Sequence, residues 1–407
     1  MRALVQSAGP LSLAARRVLG GSAARWPVAG VLRLLEVADP GPPGAGWVRL
    51  RPLLSGVCGS DLASLRGRSP TVLWLLVSFP SVPGHEVVAR VEAVGEGVEG
   101  VRPGDRVVVD PCVSCFVRGL PPCEACRAGE TALCRRAAQS GGGLARGMMV
   151  GYHRDLPGGW GEAMRVHASQ VYRVPDGVEE RAALWAEPLA VALHALMPVP
   201  WARTERVLVI GGGSIGLACV AALGLLGAPV PAVAVRHRHQ AAAVRRLGGR
   251  PLEPGEGAWP RAGGGVAVRG WAGRPLWLGG FDAVVDAVGG DAVFARAVEA
   301  TRAGGWTVRV GDVGSLPRPG RMGGRVWAPD AHILQPFAYG REGGPGGPHT
   351  LELALRALAD SLDREALAAL VTHVYPLEAY REALEAAFDH RRHASVKVAF
   401  APAGDQA

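Results

Sequence analysis

A chain of 407 residues is too long for one ordinary core and implies two domains, while 48% hydrophobic and 20% charged residues exclude a disordered polymer. The net charge of +8 rests on arginines spread along the whole length, without the Lys/Arg blocks of a nucleic-acid or membrane-surface binder. The first thirty residues hold no continuous apolar run ending in a cleavage site, so no secretory signal is expected.

In chain order, Val48 and Leu50 alternate with Arg49 and Arg51, a half-buried strand leading into Gly56-Val57-Cys58-Gly59-Ser60-Asp61. Within 66–82, Leu73 to Val77 read as core or as the wall of an apolar pocket. Glu86 to Val94 and Arg106 to Val109 are further strands, punctuated by Gly95-Glu96-Gly97 and Pro103-Gly104-Asp105. Together they suggest an antiparallel meander, a small barrel or a sandwich. A glycine-rich loop over 137–161 precedes a strand region from Glu162 to Val174. Glu179 to Leu196 has helical composition, interrupted by Pro188.

Near Pro200 the pattern changes. Arg206 to Ile210 is a buried-type strand, followed by Gly211-Gly212-Gly213-Ser214-Ile215-Gly216, a helix from Leu217 to Leu226 and a strand ending at Val235. Val207 to Val235 carries no charge and is long enough to cross a bilayer. Its glycines, with Pro229 and Pro231, instead parse it as strand, turn, helix and strand. A helix from Gln240 to Leu247, the strand Phe281 to Asp286, a helix over 291–302 and the strand Trp306 to Val310 continue the alternation. This predicts a parallel sheet covered on both faces. Residues 249–280 show little periodicity. Beyond 335, helices His349 to Ser361 and Ala379 to Phe388 precede a strand from Ser395 to Phe400, which is expected to return to the first domain. The expected division is 1–196, with a cysteine lobe at 110–136, then 197–335 and 336–407.

Gly211, Gly213 and Gly216 have the spacing of a dinucleotide turn. The first allows the bend, the second lets backbone approach pyrophosphate and the third lets helix pack on strand. Ser214 and Ile215 belong to the same turn as candidate coenzyme contacts, and the N-terminus of the helix that follows offers free N–H groups to phosphate. No carboxylate occurs from Arg206 to Leu252, and Arg236 and Arg238 follow the second strand. A 2′-phosphate would meet cations there, which favours NADP(H) over NAD(H).

Five of the seven cysteines fall between 112 and 134, as Cys112-x2-Cys115-x7-Cys123-x2-Cys126-x7-Cys134. Such clustering points to metal rather than disulfides and to a reducing cytoplasm. Four thiolates closing a tetrahedron make a structural zinc site, so five candidates compete for four places. Cys58, His85, Glu86 and Glu187 are of the types that hold a catalytic zinc with one position open. Asp61 is placed to receive the second ring N–H of a zinc-bound His85.

With these residues in view, the chain resembles the zinc-dependent medium-chain dehydrogenases/reductases, the alcohol, polyol and threonine dehydrogenase group. The resemblance is carried by GVCGSD at 56–61, PGHE at 83–86, RPGDRV at 102–107, the cysteine lobe, EPLAVALHA at 187–195, the GGGSIG turn and VKVAF at 396–400. It implies a GroES-like β-rich catalytic domain split around a Rossmann domain, with the active site in the cleft between them. It implies hydride transfer between an alcohol, or its aldehyde or ketone, and a nicotinamide, and assembly as a dimer or tetramer. Cys58 and His85 would bind the catalytic zinc, with Glu86 or Glu187 as a further ligand. Ser60 would take the alcohol proton, and Gly311 would lie near the nicotinamide. For the structural zinc the family spacing selects Cys123, Cys126 and Cys134, with Cys115 as the first ligand and Cys112 as the alternative. The family's relay histidine five residues after the zinc cysteine is Ala63 here, which leaves the proton path open. Two other classes compete: a zinc-stabilised nucleotide sensor without turnover, and a zinc-ribbon nucleic-acid binder. The ribbon reading lacks the aromatic and Lys/Arg interleaving expected of a recognition surface, with only Phe116, Arg118 and Arg127 between the cysteines.

Overall fold

The computed structural model describes residues 1–7, 31–69, 71–253, 255, 257–269, 275–311 and 329–403. Residues 8–30 lie outside this set. The strands on either side, Arg2–Gln6 and Leu32–Glu36, pair antiparallel. The chain forms two compact units: Met1–Glu187 with Gly340–Ala359 and Leu367–Ala407, and Pro188–Tyr339 with Asp360–Ala366.

The first unit is built on a seven-stranded sheet. Its long central strand, Trp47–Gly56, pairs antiparallel with Val87–Val94, with Met164–His167 and with Lys397–Phe400. Arg106–Val109 and Val171–Arg173 extend it on one side, and Val371–Tyr375 runs parallel to Lys397–Phe400 on the other. Alternation along Trp47–Gly56 buries Val48, Leu50 and Leu54. The first two pack with Val87, Val91, Val107, Met164 and Val166 in one core. A second core joins Leu4, Leu32, Leu65, Trp160, Leu384 and Phe400.

The second unit is the predicted alternation. Six strands run in the order Arg250–Leu252, Ala232–Ala234, Val207–Ile210, Phe281–Asp286, Thr301–Arg309 and His332–Leu334, all parallel. Central strands buried on both faces explain the charge-free run: every residue of Val207–Ile210 and Ala232–Ala234 is buried. The weakly patterned stretch contains a separate hairpin, Val266–Arg269 with Pro275–Leu278. No helix among the described residues is long and apolar enough to cross a membrane.

Two local expectations differ from the structure. Pro188 does not interrupt the helix it occupies. Helix Glu180–Ala183 ends first, Ala186–Leu196 begins anew, and Pro188 sits in the first turn, where a missing N–H costs no hydrogen bond. The dinucleotide-turn helix starts at Ser214, inside the motif, rather than at Leu217. Leu73 to Val77 fall largely within a 3-10 turn, Thr71–Leu76, with Leu75 61% exposed.

Candidate active site

Cys58 is the N-cap of helix Gly59–Leu65, so the motif turn holds its sulfur at the helix mouth. Asp61, in the first turn, accepts a hydrogen bond from the Cys58 backbone N–H at 3.0 Å. His85 and Glu86 lie just before the strand Val87–Val94. One ligand atom each from Cys58, His85 and Glu86 falls within 4.8 Å of the others. Gly56 makes this possible, because a Cβ there would come within 1.9 Å of Glu86 Oε2. Glu187 is buried near His85 and Glu86 but is not among the three converging groups. Burial pushes its carboxyl up to about 7; His85 and Lys397 oppose the shift and Glu86 adds to it.

The donors suit a zinc ion, with sulfur, nitrogen and oxygen converging as three of its four ligands. His85 Nδ1 is buried without a hydrogen-bond partner, since Asp61 Oδ1, 3.3 Å away, is poorly aligned with it. Burial alone would lower the proton affinity of this ring, yet Asp61 and Cys58 raise it well above the usual value.

Two participants were not legible in the sequence. Lys397, fully buried on the last strand, forms an ion pair with Glu86 and places Nζ 5.6 Å from the Trp185 ring centroid. Tyr152, from the glycine-rich loop, donates to Asp61 Oδ1 at 2.8 Å and has its oxygen 3.0 Å from Ser60 Oγ. A tyrosine between glycine-rich segments was the only available signal for it, and only the fold shows what it touches.

In the cysteine lobe, Cys115, Cys123, Cys126 and Cys134 bring their sulfurs within 4.8 Å of one another. Zn–S bonds of about 2.3 Å in a tetrahedron put sulfurs about 3.8 Å apart. Cys115 and Cys134 are 3.6 Å apart, and all four thiols are free. A hydrogen bond with Cys126 holds the Cys134 thiol down to about 5. Cys112 stands outside. It is buried, its N–H donates to Asp110 Oδ1 at 3.0 Å, and its carbonyl accepts from Gln170 at 3.1 Å.

In the second unit, Gly211 takes φ +105 and Gly213 caps helix Ser214–Leu225. A Cβ on Gly216 would lie 1.9 Å from the Gly211 carbonyl oxygen, whereas one on Gly213 would meet nothing within 4 Å. Protein packing therefore requires the third glycine, and the second faces open space. Gly311 closes the same edge of the sheet, its N–H donating to the Asp286 carbonyl at 2.9 Å. Asp286 Oδ1 accepts from Val288 and Gly289 N–H at 3.0 and 2.8 Å, shaping a turn that the sequence reading passed over. These groups line the carboxyl ends of the central strands, where open parallel sheets bind ligands. Arg236 and Arg238 are exposed just beyond the neighbouring strand, and the Arg236 N–H donates to Gln240 Oε1 at 3.4 Å.

Gly216→Ala is expected to cost about 1–3 kcal/mol in folding through overpacking. Gly213→Ala should cost under about 1 kcal/mol yet weaken dinucleotide binding. Melting curves and coenzyme titrations of both variants check this. A Gly213→Ala protein that binds coenzyme as wild type does would remove the open-space argument.

Two family models match: the alcohol dehydrogenase GroES-like domain over residues 44–176 and the zinc-binding dehydrogenase over 268–394. The starvation-sensing protein RspB of Escherichia coli K12 is 36% identical over 181 residues, 44% of this chain and 47% of RspB. The chain thus spans about half the length of the curated relatives it matches. Among solved structures, alcohol dehydrogenase TADH from Thermus sp. ATN1 superposes with TM-score 0.70 at 26% identity, over 98% of this chain and 99% of TADH. RspB from E. coli CFT073, complexed with NADH, superposes with TM-score 0.71 at 23% identity, over 99% of each chain. The chain belongs to the zinc-dependent medium-chain dehydrogenase/reductase family, and its two units are the GroES-like and Rossmann domains of that family.

Proposed function

We propose that the chain is a zinc-dependent oxidoreductase that moves hydride between a small alcohol, or its aldehyde or ketone, and a nicotinamide coenzyme, NADP(H) in preference to NAD(H). The observation that carries this reading is the convergence of Cys58, His85 and Glu86 beside Ser60 and Asp61. A nucleotide sensor without turnover has no use for that set.

Cys58, His85 and Glu86 are the proposed zinc holders, with Glu187 in reserve, and a zinc there supplies a Lewis acid that polarises the substrate oxygen. Cys115, Cys123, Cys126 and Cys134 are the proposed holders of a second, structural zinc. Asp61 fixes the Cys58 turn. Tyr152 O–H is the donor in both of its contacts, with one proton to place on Asp61 Oδ1 at 2.8 Å or on Ser60 Oγ at 3.0 Å. Either way, Ser60 Oγ keeps a lone pair to receive a proton from the substrate hydroxyl. Tyr152 thus orients Ser60, a role that matters in a chain with Ala63 where a relay histidine is usual. Gly211, Gly213, Ser214, Ile215 and Gly216 are proposed to cradle the pyrophosphate on backbone N–H groups, with Gly311 near the nicotinamide. Free cysteines clustered for metal support a cytoplasmic location, and the family resemblance supports a dimer or tetramer.

Zinc counting with a hydride assay tests the reading. Two zincs per chain and reduction of a nicotinamide by at least one alcohol or polyol are expected. A single zinc retained by the cysteine lobe, with no turnover across a broad alcohol and carbonyl screen, would sink it. For the coenzyme, Arg236→Ala should raise KM for NADP+ on the order of tenfold, the worth of one charge-assisted hydrogen bond, and leave NAD+ nearly unchanged. RspB was solved with NADH, so both coenzymes belong in the assay. Equal effects on the two would remove the 2′-phosphate assignment.

A further inference from the structure

A cavity of about 370 Å³ opens in the GroES-like unit, and none of the Cys58–His85–Glu86 groups lines it. Four stretches far apart in sequence converge there: Asp110 to Phe116, Cys126 to Thr131, Ser169 to Tyr172 and Arg341 to His349. The last stretch is clasped to the cysteine lobe, with the Arg341 N–H on the Gly129 carbonyl at 3.1 Å, and bridges back on itself between Arg341 and His349.

The lining sorts into three kinds of group. Asp110 is 4% exposed; its Oδ1 accepts from Cys112 N–H, and its Oδ2 lies 3.6 Å from His349 Nε2. His349 Nδ1 accepts from Leu351 N–H at 3.3 Å, which puts the ring proton on Nε2, facing Asp110. Burial pushes the Asp110 carboxyl up to about 6, as for a carboxylate short of charged partners. Tyr172 stacks on His349 at 4.8 Å and gives the cavity a flat aromatic wall. Arg127 and Arg341 each spend one N–H on a backbone carbonyl, of Pro122 and Gly347, and neither pairs with a carboxylate among the described residues.

We propose that this cavity is a second binding site, for a small carboxylic acid that also carries a hydroxyl or ammonium group. The acid's carboxylate would meet Arg127 and Arg341; a hydroxyl would donate to Asp110 and accept from His349 Nε2–H, whereas an ammonium would donate to Asp110. The volume holds on the order of ten non-hydrogen atoms. Two guanidiniums set against one carboxylate favour an anion, and the buried Asp110 adds the demand for a donor on the same molecule. Because Cys126 and its neighbours form one wall, an acid that binds the metal-loaded lobe better than the empty one tightens, by linkage, the lobe's hold on its metal. The inference stands on the cavity and does not depend on hydride transfer.

Calorimetric titration of the zinc-loaded full chain with L-malate, D-gluconate and L-glutamate, in physiological salt and without coenzyme, tests this. At least one acid should bind saturably, at least about tenfold more weakly to Asp110→Asn and to Arg341→Met. It should bind Cys58→Ser unchanged and slow zinc loss to a chelator. Asp110→Asn keeps the acceptor for Cys112 N–H, and the exposed Arg127→Gln stands in should either variant fail to fold. No binding by any of the three acids overturns the proposal. So does binding that survives the cavity variants, or binding that Cys58→Ser abolishes, since that would place the acid at the catalytic set.

Discussion

Replacing Cys58 by serine is expected to abolish hydride transfer, on the order of 10³-fold or more, while leaving the fold intact. Loss of one ligand removes the polarising cation, worth several kcal/mol at the transition state, and each 1.36 kcal/mol is tenfold in rate. The fold should survive because Cys58 is an N-cap, and serine is among the residues best suited to that place. The lobe holding Cys115, Cys123, Cys126 and Cys134 shares no residue with this set. Cys126→Ser should therefore do the opposite and unfold the lobe. Circular dichroism, zinc content and turnover measured on both variants decide the matter. A Cys58→Ser protein that unfolds beside a stable Cys126→Ser protein would reverse the two metal assignments.

Lys397→Met is expected to cost about 3–5 kcal/mol in folding, the penalty for stranding one member of a buried ion pair. Both partners are almost wholly shielded, Lys397 at 0% and Glu86 at 1%, so neither charge has recourse to water. The clean measurement is a urea transition in a Cys58→Ser background, where no cation at the site can take over the role of Lys397. Adding Glu86→Gln to Lys397→Met should restore much of the loss, because the stranded charge is then gone. A cost below about 1 kcal/mol for the single change would mean that Glu86 protonates or finds another partner.

How far the sequence was legible depended on the range of the interaction involved. The strand, turn and helix around Gly211 could be read because each glycine answers a local demand: a bend, a phosphate, a helix packed within van der Waals reach. The parallel sheet followed from charge-free strands alternating with helices. Pro188 misled because a proline is harmless in a first turn, and nothing local marked where that turn began. Cys112 and Cys115 could not be separated by spacing alone. What distinguishes them is whether a sulfur reaches Cys134, nineteen residues on, or the residue instead binds Asp110 and Gln170. Tyr152, 92 residues from Ser60, and Lys397, 311 residues from Glu86, were beyond any pattern in one chain. Both are set by which loops and strands the fold lays side by side.

The distance between Glu86 and Lys397 also bears on how the protein is made. At about 5–20 residues added per second, roughly 15–60 s separate the synthesis of the two partners. Throughout that interval the strand that neutralises Glu86 does not exist, and the sheet around Trp47–Gly56 lacks its neighbour Lys397–Phe400. The Rossmann unit, mostly encoded between the two, can close in the meantime. A nascent chain therefore waits with Glu86 lacking its partner and one sheet edge open, so the GroES-like half is the later of the two to be completed.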